Sequence, residues 1–471
     1  MTDLTEWGER AGTPFVHPYV PNAEPTVRTE MLRALGVDNV EPFYADIPPE
    51  VRLDRPLDLP RALRSEQELV AHVEGLLARN TTAGEVLSFL GGGCYQHYVP
   101  AVCDEVANRS EFLTAYAGEP YEDHGRFQAL WEYQSLLGAL LEMDVVNVPT
   151  YDGFQAAATA LRMAGRITGR RELAIATPLG SDKLSKLEDY VYPDYEIVHL
   201  GPAPRAGLID IAMLRASLSD RFAAVYLETP TYLGALDAAV PAAVELAHDV
   251  GAVAVVGCDP LCLGAVAPPA TYGADIVCGD LQPLGLHMDL GGTNGGFIAT
   301  RQERRFVAEL PSRLFGLATT SVTGEYGFGD VAYERTSFAQ RENGKEWVGT
   351  AAALSGIVAG VYLALMGPVG MKEIAESILT RTRYAMTALS AVPNLDVPML
   401  AARHFREFVV TYRSTTVEEV NRKLLGRGIF GGARLNGEGG FGSEASLFCV
   451  TERHTKDDID RLASALTEIL G

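Results

Sequence analysis

The sequence predicts an α/β fold with a mostly parallel sheet, followed by a small α+β domain at the carboxyl end. Short apolar strands alternate with helical segments between residues 144 and 279. Continuous apolar strands are typical of parallel sheets covered by helices on both faces. Residues 394–471 instead predict the order strand, helix, strand, helix. That order favours a separate, smaller domain.

Apolar runs and turn signals define the elements of the large domain. The predicted strands cover residues 144–148, 173–177, 195–200, 223–228, 252–258 and 276–279. The predicted helices between them cover residues 154–167, 183–190, 209–219 and 240–250. Ser181 is expected to cap the second of these helices, because a serine hydroxyl can accept a hydrogen bond from a free backbone N–H.

Three domains are predicted from changes in composition along the chain. Residues 1–62 are Pro-rich and form an N-terminal arm that carries one helix near residues 25–35. Residues 63–345 form the large α/β domain, which begins with a helix at 65–78 and ends in a loop-rich stretch at 311–347. Residues 346–471 contribute a long helix and the small carboxyl-terminal domain.

Composition excludes several classes of function. The net charge is −22 and the isoelectric point is near 4.9, so binding to nucleic acid or to an anionic membrane is not expected. No basic segment followed by an apolar stretch opens the chain, which indicates a cytoplasmic protein. The most apolar run, residues 348–366, contains glycines and predicts a buried helix. The six cysteines are scattered and predict buried thiols and no metal site.

A lysine is missing from one informative segment. Residues 272–296 predict a strand, a turn and a Gly-rich return. This pattern resembles the region of large pyridoxal phosphate (PLP) enzymes of fold type I that carries the Schiff-base lysine. The span 272–300 contains no lysine, and Gln282 and Pro283 stand where a His-Lys pair is expected. Neither residue has the primary amine that the covalent bond requires.

Motifs along nearly the whole chain resemble one family, glycine dehydrogenase (decarboxylating) subunit 1, the alpha subunit of the two-chain P-protein of the glycine cleavage system. The segments that carry the resemblance are residues 19–22, 45–52, 89–100, 109–112, 143–147, 151–153, 272–277, 282–285 and 450–460. The most distinctive is FLGGGCYQHYVP at residues 89–100.

The resemblance implies a PLP-dependent transferase fold of type I in a subunit that lacks the lysine. PLP is expected to be bound mainly by a lysine-bearing subunit 2, with the two chains assembled as an α2β2 tetramer. The implied reaction removes the glycine carboxyl as CO2 and passes the aminomethyl group to a lipoyl carrier, the H-protein. A specialised paralogue acting on another amino acid is the alternative.

Two loops differ from the family pattern and are expected to face the shared active site. One follows Tyr116 and covers residues 117–125; the other covers residues 341–350. The Gly-rich loop at 91–97 is a third candidate, since glycines let backbone approach a ligand closely. The predicted substrate-site or partner-site residues are Tyr95, His97, Tyr116, Glu119, His124 and Arg341.

No catalytic or cofactor-binding residue is predicted in this chain. Asp152 opens a helix at the position of the phosphate cup in PLP folds, but it would repel a phosphate and is interpreted as a helix cap. Asp259 follows an apolar strand and is interpreted as a relic or a turn residue. Two alternatives stay open: a stand-alone PLP enzyme that uses an unusual lysine, foremost Lys345, and a non-enzymatic scaffold or regulator.

Overall fold

The structure is a computed structural model of the chain of 471 residues. It describes residues 19–20, 24–53, 55, 58–60, 62–63, 65–113, 124–200, 207–289, 295–311, 313–336, 339–345, 351–397, 400, 402–436 and 444–471. The chain divides into two units, Met1–Thr81 and Thr82–Gly471.

In its described residues the first unit contains two α-helices, α1 (Pro25–Ala34) and α2 (Glu66–Leu77). Helix α2 begins at a capping box, in which Ser65 accepts from the backbone N–H of Glu68 and the Glu68 carboxylate accepts from Ser65 N–H. This arrangement satisfies two backbone donors that a helix start otherwise leaves free. Neither helix buries a residue.

The second unit contains ten helices and seventeen strands in its described residues. The helices are α3 (Ala101–Ala107), α4 (His124–Leu141), α5 (Gly153–Thr168), α6 (Ser181–Val191), α7 (Ile211–Ser217), α8 (Val240–Asp249), α9 (Arg304–Val307), α10 (Ala353–Ser390), α11 (Val417–Leu425) and α12 (Lys456–Leu470). The strands are β1 (Leu87–Ser88), β2 (Val145–Val146), β3 (Glu172–Ile175), β4 (Glu196–His199), β5 (Phe222–Thr229), β6 (Ala235–Leu236), β7 (Val253–Cys258), β8 (Ile276–Asp280), β9 (Gly296–Thr300), β10 (Leu314–Thr319), β11 (Tyr326–Val331), β12 (Leu395–Asp396), β13 (Arg403–His404), β14 (Glu407–Tyr412), β15 (Ile429–Phe430), β16 (Ala433–Arg434) and β17 (Ala445–Cys449).

A seven-stranded sheet in the order β2-β9-β8-β7-β5-β3-β4 forms the centre of this unit. The pairs β4–β3, β3–β5, β5–β7 and β7–β8 are parallel, and β9 is antiparallel to both β8 and β2. The mostly parallel sheet predicted from the sequence is therefore confirmed. Because β5, β7 and β8 are neighbours and run in the same direction, their carboxyl ends lie side by side.

Both faces of the sheet are buried, and alternate residues of each strand enter different cores. Ala254 and Val256 of β7 belong to one core, whereas Val253 and Val255 belong to the other. Helix α5 covers the second core with a row of buried alanines, begins at Asp152 and ends at Gly169, where φ is +69°. Continuous apolar strands are stable only when both faces are covered in this way.

Helix α10 is long and apolar. By length and composition it could cross a membrane, and 44% of its most apolar stretch is buried inside the protein. Gly356 and Gly360 face Tyr133 of α4 so closely that an added Cβ would lie 3.2–3.3 Å from it, which places α10 in the core. At Gly367 the backbone leaves helical geometry (φ 56°, ψ −176°) and Pro368 follows, so α10 is kinked at this point.

The small carboxyl-terminal sheet has the order β12-β14-β17-β16 and its strand pairs are antiparallel. Helices α11 and α12 cover it, with Val420 and Leu462 among the residues of a shared core. Thr416 caps α11, and a capping box from Thr455 to Asp458 opens α12. The α+β character predicted for this part of the chain is confirmed.

Three differences between the sequence-based elements and the structure are informative. Strands β10 and β11 form a six-pair antiparallel hairpin inside the stretch predicted as loop-rich. Helix α4 lies where no element is predicted. Ser181 is the first residue of α6, and the cap position belongs to Gly180, without a side-chain hydrogen bond; the prediction for Ser181 is wrong by one residue. The boundary placed between residues 345 and 346 stays a prediction.

Candidate functional site

A cleft opens where the parallel strands end. Glu228 from β5, Asp259 after β7 and Asp280 from β8 line a cavity of about 400 Å³. The starts of α5 and α6 face the same cavity through Gly153 and Lys183. In open α/β sheets, ligands bind at the carboxyl ends of the strands, so the topology alone makes this the candidate site.

Asp280 occupies the start of α5. Its Oδ2 accepts a hydrogen bond from the backbone N–H of Gly153 at 2.9 Å, and Oδ1 accepts from the N–H of Gln282 at 2.8 Å. A Cβ added to Gly153 would lie 3.1 Å from that of Asp280, so the helix start and the carboxylate pack in direct contact. Burial raises the pKa of Asp280 to about 6, against the two hydrogen bonds that lower it. The carboxyl therefore remains mainly ionised at neutral pH.

Asp152 satisfies the same helix start from the other side. Its Oδ1 accepts from the N–H of Gln155 at 2.7 Å, which confirms the prediction that it caps the helix. Two carboxylates thus surround the first turn of α5. A helix N-terminus favours negative charge, and in this chain that charge is supplied by its own side chains.

Lys183 forms an ion pair with Glu228 inside the cleft. Tyr226 donates its hydroxyl to Oε1 of the same carboxylate at 2.9 Å, and the ammonium lies 5.3 Å from the centre of the Tyr226 ring. Burial acts to lower the pKa of Lys183, but Glu228, Cys278 and Asp280 together outweigh it and the pKa is raised. The amine is consequently protonated and is not a free nucleophile.

Asp259 is paired with Arg406, which enters from the small sheet. The arginine side chain is 1% exposed and that of the aspartate 15% exposed. The guanidinium carbon also lies 3.8 Å from the centre of the Tyr95 ring. Arg406 has a φ of +66°, a left-handed conformation that non-glycine residues adopt rarely. The ion pair and the ring contact hold the arginine in that conformation.

His97 lies behind Arg406 and continues the ionic chain. Its Nε2 is 2.9 Å from Nη1 of Arg406, and its Nδ1 is 2.7 Å from Oε2 of Glu452. A guanidinium has only donors, so Nε2 must accept and the ring proton lies on Nδ1, from which it is donated to Glu452. Burial and the adjacent guanidinium lower the pKa of His97. The imidazole is therefore neutral in the folded protein.

Tyr95 and Glu407 fix the Gly-rich loop above the cleft. Tyr95 donates its hydroxyl to Oε2 of Glu407 at 2.9 Å, and Gly92 N–H donates to Oε1 at 2.6 Å. Burial raises the pKa of Glu407, although these two donors and Arg406 act to lower it. The loop is positioned by a carboxylate that is far away in sequence.

Gln282 binds the backbone of the same loop where a PLP enzyme would have the residue before its lysine. Its Oε1 accepts from Tyr95 N–H at 3.1 Å, and its Nε2 donates to the carbonyls of Tyr95 and Leu286 at 2.9 and 3.1 Å. Gln282 is 2% exposed. Pro283 then faces the cavity, with no group that could form a covalent bond to an aldehyde.

The structure brings together two of the six predicted site residues. Tyr95 lines the cleft and His97 lies directly behind it. Tyr116 and Glu119 lie outside the described residues, and His124 begins α4 with a side chain that is also outside them. Arg341 has a side chain that is 93% exposed and is not among the described residues that line the cleft.

Several cleft residues were not identified from the sequence. They are Glu228, Asp280, Arg406, Glu407 and Glu452. Glu228 and Asp280 end apolar strands, and that position was a usable signal because charged residues at the carboxyl ends of parallel strands converge. Arg406, Glu407 and Glu452 carry no such signal. Lys345, the lysine favoured for a stand-alone enzyme, pairs with Glu309 at 3.0 Å, and the lysine that lines the cleft is Lys183.

Comparison with known proteins defines the class of this fold and site. The chain matches the profile of the glycine cleavage system P-protein over residues 17–466. Relatives named glycine dehydrogenase (decarboxylating) subunit 1 include one from Aeropyrum pernix, 36% identical over 97% of this chain and 99% of its own length. Another, from Chlorobium limicola, is 36% identical over 96% of this chain and all of its own length.

Solved structures agree with the sequence comparison. A crystal structure of glycine decarboxylase (P-protein) of the glycine cleavage system, in inhibitor-bound form, superposes with a TM-score of 0.82 and is 33% identical, covering 97% of this chain and all of that chain. A NifS-like protein (TM-score 0.60, 12% identical, 82% of this chain and 99% of that one) shares the fold. So does a sphingosine-1-phosphate lyase from Burkholderia pseudomallei (TM-score 0.63, 15% identical, 91% and 94%).

The fold is fold type I of the PLP-dependent enzymes, as predicted, in a chain whose cleft has no lysine at the usual position. The chain belongs to the glycine cleavage system P-protein family.

The residues of the cleft do not fit PLP. The first backbone N–H of α5 could donate a hydrogen bond to a phosphate oxygen, but it already donates to Asp280. Asp259, placed to pair with a pyridine nitrogen, already pairs with Arg406. Pro283 replaces the expected lysine and Lys183 is bound to Glu228. Each group that would hold the cofactor is satisfied within the chain.

Proposed function

We propose that this chain is the lysine-less subunit of a two-chain glycine dehydrogenase (decarboxylating), and that the PLP and its Schiff-base lysine belong to a subunit 2 partner. The observation that carries the proposal is the segment from Gln282 to Pro283, where a buried amide and a proline replace the reactive amine. The subunit 1 names of the relatives support the same role. Glycine decarboxylation, with transfer of the aminomethyl group to a lipoyl H-protein, is the reaction proposed for the assembled enzyme.

Within this proposal the chain shapes the mouth of the partner's active site. Arg341 is exposed and can clamp a carboxylate through its planar fork. Tyr116, Glu119 and His124 are proposed to lie at the same mouth. Tyr95 and His97 are proposed to position the Gly-rich loop, since both are held by hydrogen bonds inside this chain. These are positioning and recognition roles, and the bond-breaking step is left to the partner.

The assembly is proposed to be an α2β2 tetramer in the cytoplasm. Helix α2 supports an extensive contact with the partner, because apolar Leu69, Val73, Leu76 and Leu77 are each more than two-fifths exposed. An exposed apolar helix face of this kind commonly marks a protein interface.

Co-purification with the lysine-bearing homologue from the same genome tests this proposal. Native mass measurement is expected to show an α2β2 complex that absorbs as a PLP protein. Borohydride reduction followed by peptide mapping is expected to place the reduced PLP on the partner. Reduced PLP on Lys183 or Lys345 would instead establish a stand-alone enzyme, and a chain that binds neither PLP nor a partner would leave only a scaffold role.

The contribution of Arg341 can be separated from folding. Arg341→Ala in the assembled complex is expected to raise KM for glycine without changing the PLP content. A matched control is Arg413→Ala, because Arg413 is also exposed and its ion pair among the described residues is with Asp396. Equal kinetics for both variants would remove Arg341 from the proposed site.

A further inference from the structure

The cleft of this chain is still open, so a lack of space does not explain the misfit to PLP. Its cavity of about 400 Å³ is within the range of small-molecule sites, about 300–1,000 Å³. Glycines 91–93 and Gly257 keep its walls free of side chains. A small ligand therefore has room to enter, and the chemistry of the lining decides which ligand is accepted.

The negative charge at the start of α5 determines which ligands the cleft accepts. An anion bound at a helix N-terminus is stabilised by free backbone N–H groups and by the helix dipole. Asp280 already accepts the N–H of Gly153, and Asp152 accepts that of Gln155. A phosphate brought to this point would meet a carboxylate within hydrogen-bond distance, and two anions so close cannot both stay ionised.

The remaining charges in the cleft do not compensate for Asp280. The ammonium of Lys183 is paired with Glu228, and the guanidinium of Arg406 with Asp259. In the described part of the chain Asp280 takes part in no ion pair, and its hydrogen bonds come from two backbone N–H groups. Lys183 lowers the pKa of Asp280 electrostatically, but its ion pair is with Glu228. Asp280 is therefore a buried carboxylate without a paired cation in the described residues.

We propose that Asp280 is a specificity-determining residue that excludes phosphate-bearing ligands, PLP included, from the cleft of this chain. The Asp280 carboxylate stands in for the phosphate at the start of α5 and satisfies the helix without a cofactor. The cleft is left accessible only to small molecules that are neutral or positively charged. This inference rests on the proposed function in one respect, namely that the chain leaves the cofactor to its partner.

Equilibrium dialysis of the isolated full-length chain tests the inference with two probes that differ only in the phosphate. Pyridoxamine 5′-phosphate and pyridoxamine have no aldehyde, so neither reacts with lysines. The wild-type chain is expected to bind the phosphate ester no more tightly than the free amine. Asp280→Ala is expected to raise the affinity for the phosphate ester at least tenfold and to leave that for pyridoxamine unchanged.

Two further variants keep the test decisive. Asp280→Asn removes the charge but retains a side chain of similar size, so a smaller gain in affinity for the phosphate ester is expected. This variant decides the question if Asp280→Ala does not fold. Asp249→Ala removes an exposed carboxylate at the end of α8 and is expected to change neither affinity. Tighter phosphate-ester binding by the wild type, or no gain in either Asp280 variant, would overturn the inference. Because no partner is present, failure here leaves the co-purification result unaffected.

Discussion

Arg406 donates a hydrogen bond to Nε2 of His97 across 2.9 Å, although both side chains are basic. The contact is favourable only while the imidazole is neutral, and Glu452 maintains that state by accepting the Nδ1 proton. A second proton on His97 would place two cations in contact inside the protein. The Arg406–His97 pair therefore makes the fold sensitive to mild acid.

Acidification is expected to destabilise the wild-type chain through His97. The folded-state pKa of His97 is lowered from its ordinary 6.5 by burial and by Arg406, so below 6.5 the unfolded chain binds the proton more tightly and stability is lost as pH falls toward the folded pKa. Arg406, Glu452 and His454 face the ring, and Glu452 acts in the opposite direction. Urea unfolding at pH 7.5 and 5.5 should show a larger loss for wild type than for His97→Gln. Equal losses would mean that the pKa of His97 is the same in the folded and the unfolded chain.

Removal of the Arg406 charge is expected to cost more than removal of any exposed arginine. Arg406→Met leaves Asp259 without its counter-ion, and breaking a buried pair on one side costs about 3–5 kcal/mol. The double variant with Asp259→Asn should lose less than the sum of the two single variants, because no unpaired charge remains. Chemical unfolding of all three proteins measures this coupling. Strict additivity would show that the two residues do not interact energetically.

Gly91→Ala is expected to destabilise the loop above the cleft. A Cβ at Gly91 would lie 2.7 Å from that of Cys449 and would also collide with the Glu407 carboxylate, so overpacking should cost about 1–3 kcal/mol in unfolding free energy. Gly329→Ala is the control, since a Cβ there has nothing within 4 Å. Thermal and urea unfolding of both variants provide the comparison. A Gly91→Ala protein as stable as the control would show that the loop can move aside.

Glu228→Gln is expected to make Lys183 reactive. Without that carboxylate, burial, which is the largest single effect on the ammonium, is opposed by the smaller effects of Cys278 and Asp280, so the pKa of Lys183 is expected to fall. Acetylation with acetic anhydride at pH 8, followed by peptide mass measurement, should show faster modification of Lys183 in the variant. Lys186 is exposed and should react at the same rate in both proteins. An unchanged rate at Lys183 would mean that restricted access of the reagent, and not protonation of the amine, protects Lys183 from acetylation.

The parallel sheet could be predicted because burial of both strand faces requires continuous apolar runs, such as residues 252–258. The hairpin β10–β11 could not, since its exposed residues alternate with glycines at 316, 327 and 329. Such a stretch lacks the apolar pattern from which strands are predicted. Its pairing depends on backbone hydrogen bonds to the partner strand, which the sequence does not display.

The missing amine and the Gly-rich loop could be predicted because each lies within one short segment. The ionic chain Asp259–Arg406–His97–Glu452 could not, because its members are scattered over more than 350 residues and only the fold brings them together. Lys345 was favoured as the reactive lysine of a stand-alone enzyme because it lies in a loop that differs from the family pattern. The fold instead pairs it with Glu309.

The same ionic chain has a consequence for the order of folding. Its last member, Glu452, lies 355 residues after His97, so a chain emerging from the ribosome cannot complete the network until residue 452 has been synthesised. Contacts between residues so distant in sequence require large loops to close and form late. Until then His97 lacks the carboxylate that accepts its Nδ1 proton. The pair between Arg406 and Asp259 can form earlier, because both residues precede Glu452 in the chain. The network that ties the loop of His97 to the small sheet is therefore completed from its Asp259 end.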